Sequence, residues 1–174
     1  MIGLAFTNTS PLSYPTRANK RTFGTNPIAF AAPATHGSFD LDMATTTVAF
    51  GKVELNSRKG INIPGTWGAD KDGHATTNPK DVLGDGGLLP LGGVEETGGY
   101  KGYGLQMMVE VLCGILAGSN FGPNIRTWQT SSGEANLGQC FMAINTASFA
   151  DGSEERLQSL IDHVHNMEPV KCFV

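Results

Sequence analysis

The chain opens directly on a strand pattern, Ile2-Gly3-Leu4-Ala5-Phe6-Thr7, with no lead-in turn or cap, which suggests that something upstream is missing. Asn8, Ser10, Pro11, Pro15, Asn19, Gly24, Asn26 and Pro27 then mark residues 8–27 as loop. Residues 28–32 and 39–43 predict two more strands, parted by the turn-like run 33–37. A helix is predicted over 45–59: Thr45 or Thr46 can cap it, and Val48, Ala49, Lys52, Val53 and Asn56 share a face. Gly60 stops it after basic Arg58-Lys59. Residues 60–100 read mostly as connection, punctuated by glycine pairs and Pro-Gly, Asp-Gly and Asn-Pro turns. A stretch that long without regular structure is more often functional than idle.

The strongest helix signal covers 101–117. Leu105, Met108, Val109, Leu112, Ile115 and Leu116 fall on one helical face, Met107 and Val111 widen it, and Gly118 ends it. Such a helix is expected to be buried on most sides. Residues 140–144 form a last strand pattern. Ser153 is placed to cap a final helix with Glu154-Glu155 in its first turn and Leu157, Leu160, Ile161 and Val164 on one face, ending before Pro169. Early strands with helices to one side predict an α+β sandwich rather than a doubly wound sheet.

Composition narrows the function classes. The 174 residues carry a formal charge of −4, which argues against gripping nucleic acid or an anionic membrane by bulk charge. There is no run long and apolar enough for a membrane span, and the start lacks the basic region of a signal peptide. Glycine is the outlier: 23 residues, about twice the ordinary share, as expected where backbone must approach something closely. Cys113, Cys140 and Cys172 are widely spaced with no CxxC pair, so neither a disulfide framework nor a metal site is supported, and a reducing compartment is expected.

Several segments could carry chemistry. Gly98-Gly99-Tyr100-Lys101-Gly102-Tyr103-Gly104-Leu105 leads into the strongest helix, where free N–H groups, the helix dipole and Lys101 could meet an anion. The competing interpretation is a surface loop capping a core helix. The run is neither a Walker loop nor a GxGxxG fingerprint. Gly24-Thr25-Asn26-Pro27 and Leu41-Asp42-Met43-Ala44-Thr45-Thr46 could each hydrogen-bond a ligand or only their own backbone. Asp70-Lys71-Asp72-Gly73 lacks the rest of a calcium loop and reads as a polar turn. His36, His74, His163 and His165 sit beside no nucleophile or second ligand, so no catalytic and no metal-binding residue is assigned.

Taken in order, certain motifs resemble one family, the type-2 malate/L-lactate dehydrogenases, which include ureidoglycolate and sulfolactate dehydrogenases. They are Gly3-Leu4-Ala5-Phe6-Thr7-Asn8-Thr9-Ser10-Pro11, Gly24-Thr25-Asn26-Pro27-Ile28-Ala29, Leu41-Asp42-Met43-Ala44-Thr45, Gly51-Lys52-Val53-Glu54, Leu88-Leu89-Pro90-Leu91-Gly92-Gly93 and Tyr100-Lys101-Gly102-Tyr103-Gly104-Leu105. The likeness runs from residue 1 to about 149. It implies a homodimeric, cytoplasmic oxidoreductase that binds NAD or NADP on a non-Rossmann α/β sandwich, a mostly antiparallel sheet with helices packed on it. It also implies hydride transfer between that cofactor and a small 2-hydroxy/2-oxo acid.

By resemblance, Thr9 takes the place of a hydroxyl touching the cofactor. Asp42, Met43 and Ala44 match a segment lying along it, Lys101 matches a cofactor-binding lysine, and Asn26 is a pocket residue. The resemblance divides the chain into a cofactor-binding core, residues 1–150, and a C-terminal helix with a divergent tail, residues 151–174. The family's Ser-Arg-His-Gly motif and proton-transfer histidine would precede Met1, its Pro-Gly-Glu segment has no counterpart here, and 94–100 is longer than the usual junction. The expectation is a short form lacking the catalytic histidine segment and inactive alone. The alternative is a catalytically inactive module that binds nucleotide or associates with full-length subunits.

Overall fold

The computed structural model describes residues 1–131 and 133–170; the Cys172 position and the end of the tail lie outside the described residues. Its main sheet is antiparallel throughout, in the order β3-β2-β1-β7, with β1 at Ile2–Thr7, β2 at Ile28–Ala34, β3 at Gly37–Met43 and β7 at Gln139–Ile144. The register sets Phe6 opposite both Ile28 and Cys140, and Ala5 opposite both Ala29 and Phe141. Because successive side chains point to opposite faces, the strands sort into a helix-covered face bearing Leu4, Phe6, Ile28 and Cys140 and a second face bearing Gly3, Ala5, Ala29 and Ala31. The first face packs on Val109 and Cys113, both fully buried.

The expected turn at 33–37 is tighter than the sequence pattern implied. Pro33 and Ala34 continue β2 against Ser38 and Gly37, leaving only Thr35-His36 outside the ladder. Proline is tolerated there because it sits at the end of a strand, beside the turn.

The segment expected to be mostly connection is ordered into a second layer. A small antiparallel sheet β5-β4-β6 joins β4 (Gly68–Ala69), β5 (Ala75–Thr76) and β6 (Gly87–Leu88), flanked by α1 (Phe50–Lys59) and α2 (Pro79–Leu83). Val53, Ile63, Val82 and Leu88 form its core. Burying a side chain such as Leu88 is worth about 1.5–3 kcal/mol, so strands of two residues persist because of what stands behind them. Leu88 also ties the layers together: its N–H donates to the Leu12 carbonyl and its carbonyl accepts from Tyr14 N–H.

Helix boundaries shift for identifiable reasons. α1 begins at Phe50, not near residue 45, and has no side-chain cap. Thr45 is unavailable for that task because its hydroxyl donates to the carbonyls of Thr25 and Asn26, both at 2.9 Å. Its predicted end holds: Gly60 is left-handed at φ 67°, and its N–H closes on the Asn56 and Ser57 carbonyls. The last helix, α4 (Ser153–His165), is preceded by a left-handed Gly152, with no side-chain cap from Ser153.

The helix predicted at 101–117 is α3, Gly99–Glu110, continued by one π-helical turn, Val111–Ile115. Its buried face matches the predicted one only at Val109 and, half-buried, at Leu105 and Leu112. Gly99, Gly102, Gln106, Val109, Glu110, Cys113 and Gly114 are inward, whereas Met107, Met108, Val111, Ile115 and Leu116 are exposed. The expectation of burial on most sides therefore fails. Beside Val109 and Cys113, the inward positions go to glycines, which permit close backbone approach, and to polar groups that the neighbouring loops require.

Candidate functional site

β1 ends, β2 begins, β3 ends and β7 begins at the same end of the main sheet. The loops leaving that end meet the first turns of α3. Leu91 N–H donates to the Thr45 carbonyl at 2.9 Å, and Gly102 N–H donates to the Leu91 carbonyl at 3.1 Å. Gln106 Nε2 donates to Ser13 Oγ at 3.1 Å. The backbone is thus stitched from β3 through the 90–93 loop to the start of α3.

Asn26 is the hub of this end. It is fully buried and left-handed at φ 35°, a conformation asparagine tolerates better than most residues. Its Oδ1 accepts from Thr9 N–H at 3.0 Å, and its own N–H donates to Thr9 Oγ1 at 3.3 Å. Thr9 is half-buried, and Gly24 is required beside it: a Cβ there would stand 1.9 Å from Thr9 Oγ1.

Of the residues singled out by resemblance, Asp42 is exposed on the sheet face away from α3, opposite Ala29. A groove of about 200 Å³ runs past it, lined by Thr7, Pro27, Ala29, Gln139 and Phe141. Met43, opposite Ile28, turns to the other face. Ala44 lies one residue beyond the ladder, and its peptide groups take no part in the loop hydrogen bonds that tie down Thr45 and Thr47. Lys101 is exposed in the first turn of α3 with its Nζ 5.9 Å from the Tyr100 ring centroid, and it joins none of the ion pairs among the described residues.

The free N–H groups expected at the start of α3 are mostly taken. Gly98 N–H donates to Glu95, Gly99 to Val94, Lys101 to Gly98 and Gly102 to Leu91. The glycines there serve packing: a Cβ on Gly99 would lie 1.9 Å from the Gly93 carbonyl oxygen, and one on Gly102 would lie 2.3 Å from Leu91 N. Any anion held here would depend on the Lys101 charge rather than on an open cradle of amides.

The second cleft, of about 320 Å³, lies beneath the 14–19 loop and contains none of the residues expected to touch cofactor. Arg17, left-handed at φ 67°, crosses its edge to Glu95 with Nε–Oε2 at 2.7 Å, and this pairing holds the Glu95 carboxyl below its ordinary pKa. Asp70 is likewise lowered, chiefly by the His74 N–H, with the Asp72 N–H adding to it; the segment is the polar turn expected from its sequence. Burial pushes the Cys113 thiol up. His36 stands in the β2–β3 turn, where its backbone N–H donates to Gln158, while His74 is 3.8 Å from Asp70. No cluster of three or more potential metal ligands occurs among the described residues.

Sequence reasoning missed Gln106 and Glu110, the two longer polar side chains buried on α3. Each is an isolated polar residue in an apolar helix, and that isolation was the available signal. Glu110 receives Asn8 Nδ2 at 3.2 Å, Asn26 Nδ2 at 2.8 Å and Gly122 N–H at 2.7 Å.

Residues 1–173 match the family described as malate/L-lactate dehydrogenase. Among characterised relatives, malate dehydrogenase of Pyrococcus horikoshii is 42% identical over 94% of this chain and 46% of its own length. L-sulfolactate dehydrogenase of Methanocaldococcus jannaschii is 38% identical over 99% of this chain and 48% of its own length. The solved structure of that sulfolactate dehydrogenase superposes with a TM-score of 0.86 at 38% identity, covering 99% of this chain and 48% of the other. Malate dehydrogenase of Entamoeba histolytica does so with a TM-score of 0.86 at 29% identity, covering 99% of this chain and 50% of the other. The chain spans about half the length of the curated relatives it matches.

Proposed function

The chain belongs to the malate/L-lactate dehydrogenase family, and on that premise we propose that it forms the nicotinamide-cofactor-binding core of an oxidoreductase acting on a small 2-hydroxy/2-oxo acid. NAD or NADP, when bound, supplies the hydride-transfer chemistry. The observation that carries the proposal is the stitched end of the sheet, where Thr9, Ala44 and Lys101 belong to segments bound to one another through Asn26, Thr45, Leu91 and Gly102.

The residues present fit such a group. Lys101 offers phosphate or ribose oxygens a cation that joins no ion pair among the described residues, and Thr9 offers a hydroxyl that Asn26 holds. Ala44 leaves peptide groups outside the loop hydrogen bonds, and Asp42 borders the groove on the face away from α3. Gly24 and Gly102 keep the backbone close behind these groups, so they are held by packed main chain rather than by a flexible loop. Residues 1–150 would act as the cofactor-binding unit and residues 151–174 as an appended helix and tail, in a cytoplasmic homodimer. The proton-transfer histidine would come from a segment other than this one.

Titration of the chain with NADH and with NADPH, followed by nicotinamide fluorescence, tests the proposal. Binding is expected, and Lys101→Ala should weaken it. An unchanged nicotinamide signal at millimolar protein would refute it. Binding with background-level oxidation of malate and lactate would favour a nucleotide-binding module over a self-sufficient enzyme.

A further inference from the structure

The buried carboxylate of Glu110 has no cation among its hydrogen-bond partners within the described residues, yet it sits behind both residues that frame Thr9. Three N–H groups converge on it. Oε1 accepts from Asn8 Nδ2 and from Gly122 N–H, and Oε2 accepts from Asn26 Nδ2. Taking a carboxylate out of water costs several kcal/mol unless hydrogen bonds replace the lost solvation. A residue that only filled space between α3 and the loops could be apolar at lower cost.

What a carboxylate provides is direction. It accepts and never donates, so each asparagine must turn its NH₂ toward it and its carbonyl away. For Asn26, that turn aims Oδ1 at Thr9 N–H, at 3.0 Å, while the second Nδ2 hydrogen reaches the Gln106 carbonyl at 3.1 Å. For Asn8, it aims Oδ1 at Gly138 N–H, at 2.9 Å, while the other Nδ2 hydrogen reaches the Asn120 carbonyl at 2.9 Å. If the Asn26 amide were reversed, its NH₂ would confront the Thr9 N–H, donor against donor. Glu110 is thus the one acceptor shared by the amides on both sides of the β1 exit, acting on the same NH₂ groups as the Gln106 and Asn120 carbonyls.

We infer that Glu110 is a positioning residue for the cofactor edge: its carboxylate fixes the Asn8 and Asn26 amides and, through Asn26, the main chain and hydroxyl of Thr9. The functional half of this inference rests on Thr9 being a cofactor contact. The π-helical turn that starts at Val111 fits the assignment, since it follows directly on Glu110 and such turns collect at functional positions. Gly114 in that turn has to be glycine, because a Cβ would lie 3.2 Å from Asn8 Nδ2 and 2.8 Å from the Phe121 Cβ.

The test is Glu110→Gln, which keeps the shape but must present an NH₂ to a neighbour that also donates. Two quantities are read: amide hydrogen exchange residue by residue, and NAD(P)H affinity. Thr9 and Gly138 amides should exchange about tenfold faster relative to the strand amide of Leu4, a local rather than global opening. NAD(P)H affinity should fall about fivefold or more. Adding Asn26→Asp supplies an acceptor for the new amide and should restore Thr9 protection, at the expense of the bond to the Gln106 carbonyl; it also serves as the folding control. Unchanged Thr9 exchange in Glu110→Gln, or equal acceleration at Leu4, overturns the positioning role. A loosened Thr9 with unaltered cofactor affinity overturns its link to binding. If the unsubstituted chain binds no NAD(P)H, the proposed function fails while the exchange data still decide what Glu110 does to Thr9.

Discussion

Gly102 and Gly104 lie two residues apart on α3, and alanine should have opposite effects at the two positions. At Gly104 an added Cβ meets nothing within 4 Å, and the residue is exposed. Alanine there gains the ordinary helix-propensity difference, about 0.5–1 kcal/mol. At Gly102 the same propensity gain is available, but the Cβ would lie 2.3 Å from Leu91 N and 2.4 Å from Leu91 O. Carbon contacts normally settle near 3.5 Å, so the helix start and the 90–93 loop must separate by roughly 1 Å. Both obstructing atoms are main chain and cannot rotate aside. Overpacking of this kind costs about 1–3 kcal/mol. Separation also breaks the 3.1 Å bond from Gly102 N–H to the Leu91 carbonyl, worth about 0.5–1.5 kcal/mol. The net expectation is destabilisation by about 1–3 kcal/mol for Gly102→Ala against a gain of up to about 1 kcal/mol for Gly104→Ala. Urea unfolding of both variants beside the parent, with the slopes compared to confirm that only stability has changed, measures the difference. Equal stabilisation by both substitutions would refute close packing as the reason for glycine at 102.

Two further outcomes follow from titration and burial. Asp70 and Glu95 both have pKa values lowered in the folded chain, by the His74 and Asp72 N–H groups and by Arg17 respectively. Their stabilising contribution is therefore complete above the ordinary carboxylate range and is lost as pH falls through the folded values. Asp70→Asn should lower the urea midpoint near pH 7 and approach the parent as pH falls below the lowered folded value; a midpoint difference independent of pH would contradict the role given to its charge. The Cys113 thiol, buried and raised in pKa, should react with a maleimide more slowly than the partly exposed Cys140 by about an order of magnitude or more. Peptide mapping after a short pulse would read this, and equal labelling in the native state would count against the buried placement.

Local pattern alone located the strands of the main sheet, because β1, β2, β3 and β7 carry enough of it to be found within a residue or two. It determined the glycine stop at Gly60, the polar turn at Asp70 and the family, through motifs that keep their order along the chain. It did not determine the second layer. Strands as short as β4, β5 and β6 have no period to detect, and they exist because Val53, Val82 and Leu88 pack behind them. Periodicity identified the inward face of α3 only in part. Of the apolar stripe Leu105, Met108, Val109, Leu112, Ile115 and Leu116, Val109 is buried and Leu112 packs on the core. Yet the tertiary structure exposes Met108, Ile115 and Leu116 and turns Gln106 and Glu110 inward because the Asn8 and Asn26 amides and the Gly122 N–H need acceptors and Ser13 needs a partner. Thr45 shows the same limit, since a hydroxyl that could cap a helix locally is claimed by carbonyls twenty residues away. Local pattern fixes what each segment can become. Which polar groups are buried together is decided only when distant segments compete for the same donors and acceptors.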